Sequence, residues 1–439
     1  MNIDEKVIKY IINFMVGTDK GTQYIYYGSN REEDAPIIII PSRFFEDEVY
    51  GKIESIPELP LKVLDGKLPI LYGENKIEKR KKKVIIYADL IASSYFLLSR
   101  YDEAFGEIER DGYGRPVGRK SYKAKAEILE RPLVDEYGRY LRETLIDLGY
   151  DIGIQKRGVG NIYLTHDLDE PWPQNSLKLA IKKVVSDMVK YRKTHLSLIL
   201  NTIGLHKCNP YDTFDWLFEQ DHKVKKCYGE TCQDMYFLIG TDHATGMTRK
   251  YWDDRRFLQL IQRIRCNQAN YGIHASFEAG MNAKLFKKEK ENLELLLREK
   301  ITANRNHYLV SNMVEWLNVL LENGITDDYT MGYADTIGFR LSTCRAVKWL
   351  DPYSKSVKNL VLHPLTIMEC TLTASQYMKL DQSSTIKTIK EMIDIIDDYN
   401  GDFCFLLHNN IVANFGNRWW KKGYEEMIEY LISKKEYSC

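Results

Sequence analysis

Beyond residue 158 the chain alternates short apolar runs with long amphipathic segments, and this restricts its fold more than any other feature. The runs lie at 162–165, 235–239, 271–274, 306–310, 329–333, 360–363 and 403–407. Between most of them apolar residues recur every three or four positions, as in Leu177/Ala180/Val184/Met188, Phe257/Ile261/Ile264, Met313/Trp316/Leu317/Leu320 and Ile386/Ile389/Ile393/Ile396. That is the period of a helix with one buried face. Strands separated by such segments pair in parallel, because parallel neighbours need a crossover connection. Seven units over about 280 residues predict a closed β/α barrel rather than a small doubly wound sheet. The fold class expected is therefore α/β, with residues 158–439 forming the barrel.

Residues 1–157 read differently, as a smaller α+β domain. An amphipathic helix carrying Val7, Tyr10, Ile11 and Phe14 opens it, strand-like runs follow at 23–27 and 37–40, and a helix over 133–148 closes it. The basic run 79–83 precedes an apolar strand and reads as a solvated edge that deters aggregation. Residues 84–98 are the most apolar stretch, but Asp89 interrupts them and they fall short of the roughly 20 residues a bilayer span needs. The opening 15 residues carry charges on both sides of a short apolar stretch and lack a small-residue cleavage site, so no secretory signal is read there. A cytoplasmic protein is expected. Lys+Arg (62) equals Asp+Glu (62), which removes the positive field a nucleic-acid binder uses to attract phosphate. The eight cysteines show no CxxC pair and read as thiols in a reducing compartment.

All nine histidines lie beyond residue 165. In a parallel β/α architecture the ligand site forms at the carboxyl ends of the strands. Polar residues gather where apolar runs end: 165–169 after the first, Asp242-His243 after the second, His274 after the third, His363 after the sixth and 408–410 after the seventh. Asp167 and Asp169 sit two apart, so on extended backbone both carboxylates face the same way. One can bind a metal while the other acts as a base. Equally, Asp-Leu-Asp-Glu-Pro can be a helix-capping loop whose acids bond backbone N–H groups.

The stretch Ile162-Tyr163-Leu164-Thr165-His166-Asp167-Leu168-Asp169 resembles the first motif of the polysaccharide deacetylases, metal-dependent carbohydrate esterases with a distorted seven-unit β/α barrel. Its THDxD form is similar to a bacterial branch that carries an extra N-terminal domain, and the segments 89–103, 111–115 and 131–137 look like that domain. The resemblance implies that Asp167 is the general base and Asp169 a metal ligand. The second motif, with two metal-binding histidines, matches 271–278: His274 fits the first, while Glu278 stands near the place of the second. Glu278 and His243 are the substitutes weighed for a third ligand, each against a surface or core role. Asn304-Arg305-Asn306-His307-Tyr308 resembles the third motif, which implies that Arg305 pairs with the catalytic aspartate and Tyr308 lines the groove. His307 stands where that family usually has proline. Residues 404–408 resemble the last motif, which implies that His408 protonates the leaving group. In this branch Asp335 and Arg340 are expected to contact substrate, or else to form salt bridges that hold a long loop.

The expected activity is removal of an acetyl group from an N-acetylated amino sugar in a glycan or glycan precursor, such as a precursor of a surface polysaccharide. The implied cofactor is a divalent metal, zinc by default for mixed nitrogen and oxygen ligands. The alternative is a carbohydrate-binding or biosynthetic scaffold protein of the same fold that has lost a ligand and its metal. Neither reading involves nucleic acid, and both leave the oligomeric state open.

Overall fold

The computed structural model describes all residues except 1–2, 154–155, 173–180, 182–183, 186–187, 189–210, 245–246, 249, 252–254, 311–313, 414–418 and 437–439. Most of the helix expected around 177–188, His195, His206, Cys208, Met313 and Cys439 lie outside the described residues. The chain divides into two compact units. One comprises Met1–Lys156 with Leu309–Thr366, the other Arg157–Tyr308 with Ile367–Cys439.

The first unit begins with the expected helix, Glu5–Val16, capped by the Asp4 carboxylate and burying Val7, Ile8, Ile11 and Ile12. Strands β1 (Ile25–Tyr27) and β2 (Ile37–Ile39) precede a two-stranded hairpin of β3 (Lys62–Leu64) and β4 (Leu68–Ile70), then β5 (Gly73–Arg80) and β6 (Lys83–Ala88). The sheet order is β1-β2-β6-β5, parallel except for β5. β5 is one of the two edge strands, and the basic run crosses from it into β6, which fits the reading of an edge kept solvated by charge. Asp89 ends β6 and caps the helix Leu90–Leu98, whose nine residues are all buried. Its carboxylate accepts from Ala92 N, Ser42 N, the Ser42 hydroxyl and the Tyr27 hydroxyl, while burial pushes its pKa up. The apolar stretch 84–98 is thus a buried strand followed by a buried helix.

The second unit starts with β7 (Ile162–Asp167), β8 (Cys232–Ile239), β9 (Asn270–Ala275) and β10 (Ala303–Asn306). The chain then returns to the first unit through β11 (Asp327–Met331), β12 (Val347–Asp351) and β13 (Ser356–Pro364), and re-enters the second with β14 (Ile367–Met368) and β15 (Phe403–Leu406). In the second unit the order is β10-β9-β8-β7-β15-β14, every pair parallel. Among the described residues β14 has a hydrogen-bonded neighbour on one side only. β7 is buried along its whole length, as a strand flanked by parallel neighbours and covered by helices should be. The helices Arg255–Cys266 and Gln382–Asp398 bury the apolar positions expected of them. The latter is capped by Asp381, which accepts from Ser384 N at 2.8 Å.

Two expectations need revision. Residues 309–366 carry the expected helix, Trp316–Glu322, and β11 pairs parallel with β13, but β13 also pairs antiparallel with β12, so an antiparallel strand enters where only parallel strands were expected. They also belong with the N-terminal residues rather than with the rest of 158–439. The Tyr10 hydroxyl accepts from Lys348 N at 2.7 Å, and Asp135 receives Cys344 N at 2.9 Å and Arg345 Nε at 2.6 Å. The result is a mixed α/β protein whose second unit carries six parallel strands.

Candidate metal and catalytic centre

β7 alternates its side chains between two faces. Thr165 and Asp167 share one, His166 takes the other. Arg305, at the far end of β10, donates from one nitrogen to the Thr165 hydroxyl at 2.7 Å and to Asp167 Oδ1 at 3.0 Å. On the way its guanidinium lies 4.5 Å over the Phe237 ring of β8, and its other terminal nitrogen is 3.8 Å from Cys404 Sγ on β15. β10 is three strand steps from β7, about 14 Å in a flat sheet at about 4.8 Å per step. That is further than an arginine spans, so these strands curl toward the face that carries Asp167. Arg305 is wholly buried, where a guanidinium persists because it is paired and hydrogen-bonded.

Asp169 lies just past the strand end, and three imidazoles surround its carboxylate. His274 Nε2 is 3.0 Å from Oδ1, while His307 Nε2 and His408 Nε2 are 3.4 and 3.5 Å from Oδ2. His274 is the penultimate residue of β9, where the register sets it beside Arg305. His307 is the first residue after β10, and Tyr308, whose ring is 4.5 Å from that of His307, turns the chain with a positive φ of 61°. The Tyr251 hydroxyl donates to the Asp169 carbonyl and ties the loop down.

Each imidazole is oriented through its other nitrogen. His274 Nδ1 donates to the Arg305 carbonyl at 2.8 Å, which leaves Nε2 as the outward atom. His307 Nδ1 lies 3.1 Å from the Thr248 hydroxyl. His408 Nδ1 is 2.6 Å from Oε1 of Glu369, a carboxylate with no solvent exposure. Burial opposes ionisation of Asp169, yet the His307 and His274 imidazoles hold its carboxyl well below the usual range. Burial also disfavours protonated His274 and His408, but the facing carboxylates outweigh it. Asp167 and Asp169 raise His274; Glu369 and Asp169 raise His408 well above the ordinary imidazole value.

One carboxylate oxygen of Asp169 and one nitrogen each of His274 and His307 lie within 4.8 Å of one another. Asp169 Oδ1 and His274 Nε2 are buried and, although 3.0 Å apart, satisfy no hydrogen-bond geometry with any described residue. Buried polar atoms seldom stay unsatisfied. A cation accepting both lone pairs satisfies them, and two imidazoles with one carboxylate are a set that suits zinc. The outer hydrogen bonds from the Arg305 carbonyl and Thr248 are of the kind that fix ligand orientation. The residues therefore fit a divalent metal.

The arrangement brings Asp167, Asp169, His274, Arg305, Tyr308 and His408 together, and puts the third candidate ligand at His307. Neither Glu278 nor His243 joins that group. His243 is half-exposed and bonded to Asp242 Oδ1 at 2.8 Å; Glu278 stands at the start of the short turn Ala279–Met281. Asp335 and Arg340 belong to the first unit and are engaged there. Arg340 is buried and forms a two-bond pair with Glu103 at 2.8 and 2.7 Å, and Asp335 accepts from Gly118 N at 2.8 Å and from Arg119. The loop-holding role weighed for both is what these contacts provide. Sequence reasoning assigned no role to His307 or Glu369. His307 directly follows β10, a strand of sequence Ala-Asn-Arg-Asn, so no apolar run ends there to mark it.

Comparison with known proteins covers the chain unevenly. Residues 5–149 match a family of unknown function, DUF7033. No curated protein matches. A solved structure described as a "putative polysaccharide deacetylase" from Mycobacterium smegmatis is similar over 64% of this chain and 87% of its own, at 11% identity and a TM-score of 0.41. The matched family thus spans about a third of the protein, and the second unit has to be read from its own residues.

Proposed function

We propose that the protein is a divalent-metal-dependent hydrolase that removes acetyl groups from an N-acetylated amino sugar in a glycan or glycan precursor. The observation that carries this reading is the buried, hydrogen-bond-deficient meeting of Asp169, His274 and His307, with a second carboxylate, Asp167, left outside it. The choice of an acetylated sugar as substrate rests on the resemblance of residues 162–169, 271–278, 304–308 and 404–408 to deacetylase motifs.

Asp169, His274 and His307 would hold the metal, which would supply Lewis acidity toward an amide carbonyl. Asp167 would be the base that takes the proton from the attacking water. Arg305 aims it, donating to Oδ1 at 3.0 Å. His408 donates a proton to the departing amine. Glu369 orients its ring through Nδ1 and favours the protonated form, which a general acid requires at neutral pH.

The alternative of a metal-free scaffold protein draws its motive from a missing third ligand. His307 supplies a candidate, and three protein ligands are the usual complement of a catalytic zinc site. The test is metal analysis of the purified full chain, joined to acetate release from a panel of N-acetylated amino sugars, free and polymeric. Near-stoichiometric metal with acetate release that a chelator abolishes is expected. A protein that takes up no divalent metal, or a loaded one that releases acetate from none of the panel, would overturn the proposal.

A further inference from the structure

His166 lies on the face of β7 opposite Asp167 and has no part in the chemistry above. It has no solvent exposure. Its Nδ1 is 2.9 Å from the Leu407 carbonyl and its Nε2 is 2.9 Å from Asp221 Oδ2. A carbonyl oxygen can only accept, so Nδ1 carries a proton. Asp221, on the helix Phe214–Tyr228, accepts the Tyr424 hydroxyl on its other oxygen at 2.6 Å. The other Asp221 oxygen is left for His166 Nε2 to donate to. Both ring nitrogens are then protonated. The Tyr236 ring, 4.8 Å from the imidazole, adds an aromatic neighbour suited to a cation. The other charged groups nearby, Asp234 and Lys225, pair with each other at 3.1 Å. Burial disfavours the imidazolium, but Asp221, its hydrogen bond, the Leu407 carbonyl and Asp234 raise its pKa overall.

What this cation holds is the peptide bond that leads into His408. The Leu407 carbonyl accepts from His166, and the Leu407 N–H donates to the Thr165 carbonyl at 3.0 Å. Two successive residues of β7 therefore grip Leu407 from both sides. A fixed Leu407–His408 peptide plane fixes where the His408 Cα–Cβ bond starts; Glu369 then sets the ring's rotation. We propose that His166 is a permanently protonated positioning residue, anchored by Asp221, that aims the His408 imidazole by locking the Leu407 carbonyl. The role in aiming rests on the function proposed above; the protonation state does not.

The test therefore has two arms on the full chain. In the wild type, nitrogen-15 NMR of the histidine rings is expected to show both His166 nitrogens protonated from pH 6 to 8; a bare Nε2 at pH 7, with the proton on Asp221, would overturn the clamp. In the second arm, His166→Phe with Asp221→Asn removes the donor to Leu407 without stranding a charge. Its kcat for acetate release is expected to fall at least tenfold with KM within twofold and metal content unchanged. Asp221→Asn alone, which keeps Nδ1–H on Leu407, should lose less. A folded double variant with kcat within twofold of wild type would refute the positioning role. If the double variant does not fold, the wild-type nitrogens still decide. If the wild type itself releases no acetate, the deacetylase reading fails, and the ring protonation is judged on its own.

Discussion

Each unit buries a cluster of ionisable groups, and the two clusters are built on opposite terms. In the first unit Lys123 meets both oxygens of Asp102 at 2.9 and 3.2 Å, and Arg340 meets both oxygens of Glu103. Lys123 and Arg340 thus each have a carboxylate in good geometry, the condition under which buried ions are tolerated, while buried Arg100 shares Glu103 with Arg340 at 3.2 Å. In the second unit Asp169 faces three imidazoles at 3.0 to 3.5 Å, and the closest contact lacks hydrogen-bond geometry. The imidazoles are instead anchored through their outer nitrogens. Pairing that completes itself reads as scaffold. Convergence that leaves lone pairs uncommitted reads as a place prepared for something else.

The comparison breaks first at Asp167. Asp167→Asn keeps the shape and a hydrogen-bond acceptor for Arg305 but removes the base, so kcat for acetate release is expected to drop by about 10²–10⁴, the usual worth of a positioned acid or base. Unfolding and metal content should be those of wild type. Full turnover in this variant would move the base elsewhere. In the first unit the corresponding cut is Glu103→Gln, which leaves Arg340 and Arg100 buried without their carboxylate. Breaking one half of a buried pair costs about 3–5 kcal/mol, readable as a lower denaturant midpoint, while the metal content of folded molecules stays unchanged. His307→Ala should do the reverse. It should weaken zinc affinity by more than the roughly 10–100-fold typical of losing an outer-shell partner, with little loss of metal-free stability. Unchanged zinc affinity would remove His307 from the ligand set.

How much of this was legible depended on whether a residue's partner is close in register or fixed by topology. The apolar runs that became β7, β8, β9 and β15 were readable because strands buried on both faces are nearly all apolar, and Asp167, Asp169, His274 and His408 stood where those runs stop. In the region 309–366 the helix Trp316–Glu322 and the strands β11 and β13 were readable too, but β12 was not. Residues 329–333 and 360–363 look like parallel strands, but nothing in their periodicity reveals that β12 pairs antiparallel beside β13. Glu369 was hidden for a similar reason. It meets His408 because β14 pairs with β15 in the register Ile367↔Phe405 and Met368↔Leu406, which carries Glu369 to the level just before His408. His307 was passed over, because it occupies a position where the resembled motif has proline.

The smallest effect expected sharpens the contrast most, because its sign differs with metal. In the metal-free protein His274 and His408 have pKa values raised above 6.5. A group whose folded pKa exceeds its unfolded one stabilises fully below the unfolded value, and that contribution is lost as pH rises through the folded value. Stability of the metal-free second unit should therefore fall as pH rises above 6.5 and through the raised values of the two imidazoles. Zinc reverses the trend, because His274 and His307 must be neutral to bind it and affinity rises as protons leave. In the first unit Glu103 is held below its usual pKa and Arg340 above, so neither changes charge in this window. Hydrogen exchange followed separately in the two units, with and without zinc, reads all of this. The second unit's protection should fall with pH without metal and rise with it, while the helices around Glu103 and Arg340 show neither trend. If zinc left the pH slope of the second unit unaltered, the Asp169, His274 and His307 cluster would be a self-satisfied ion group like that of the first unit, and the distinction between the two would be gone.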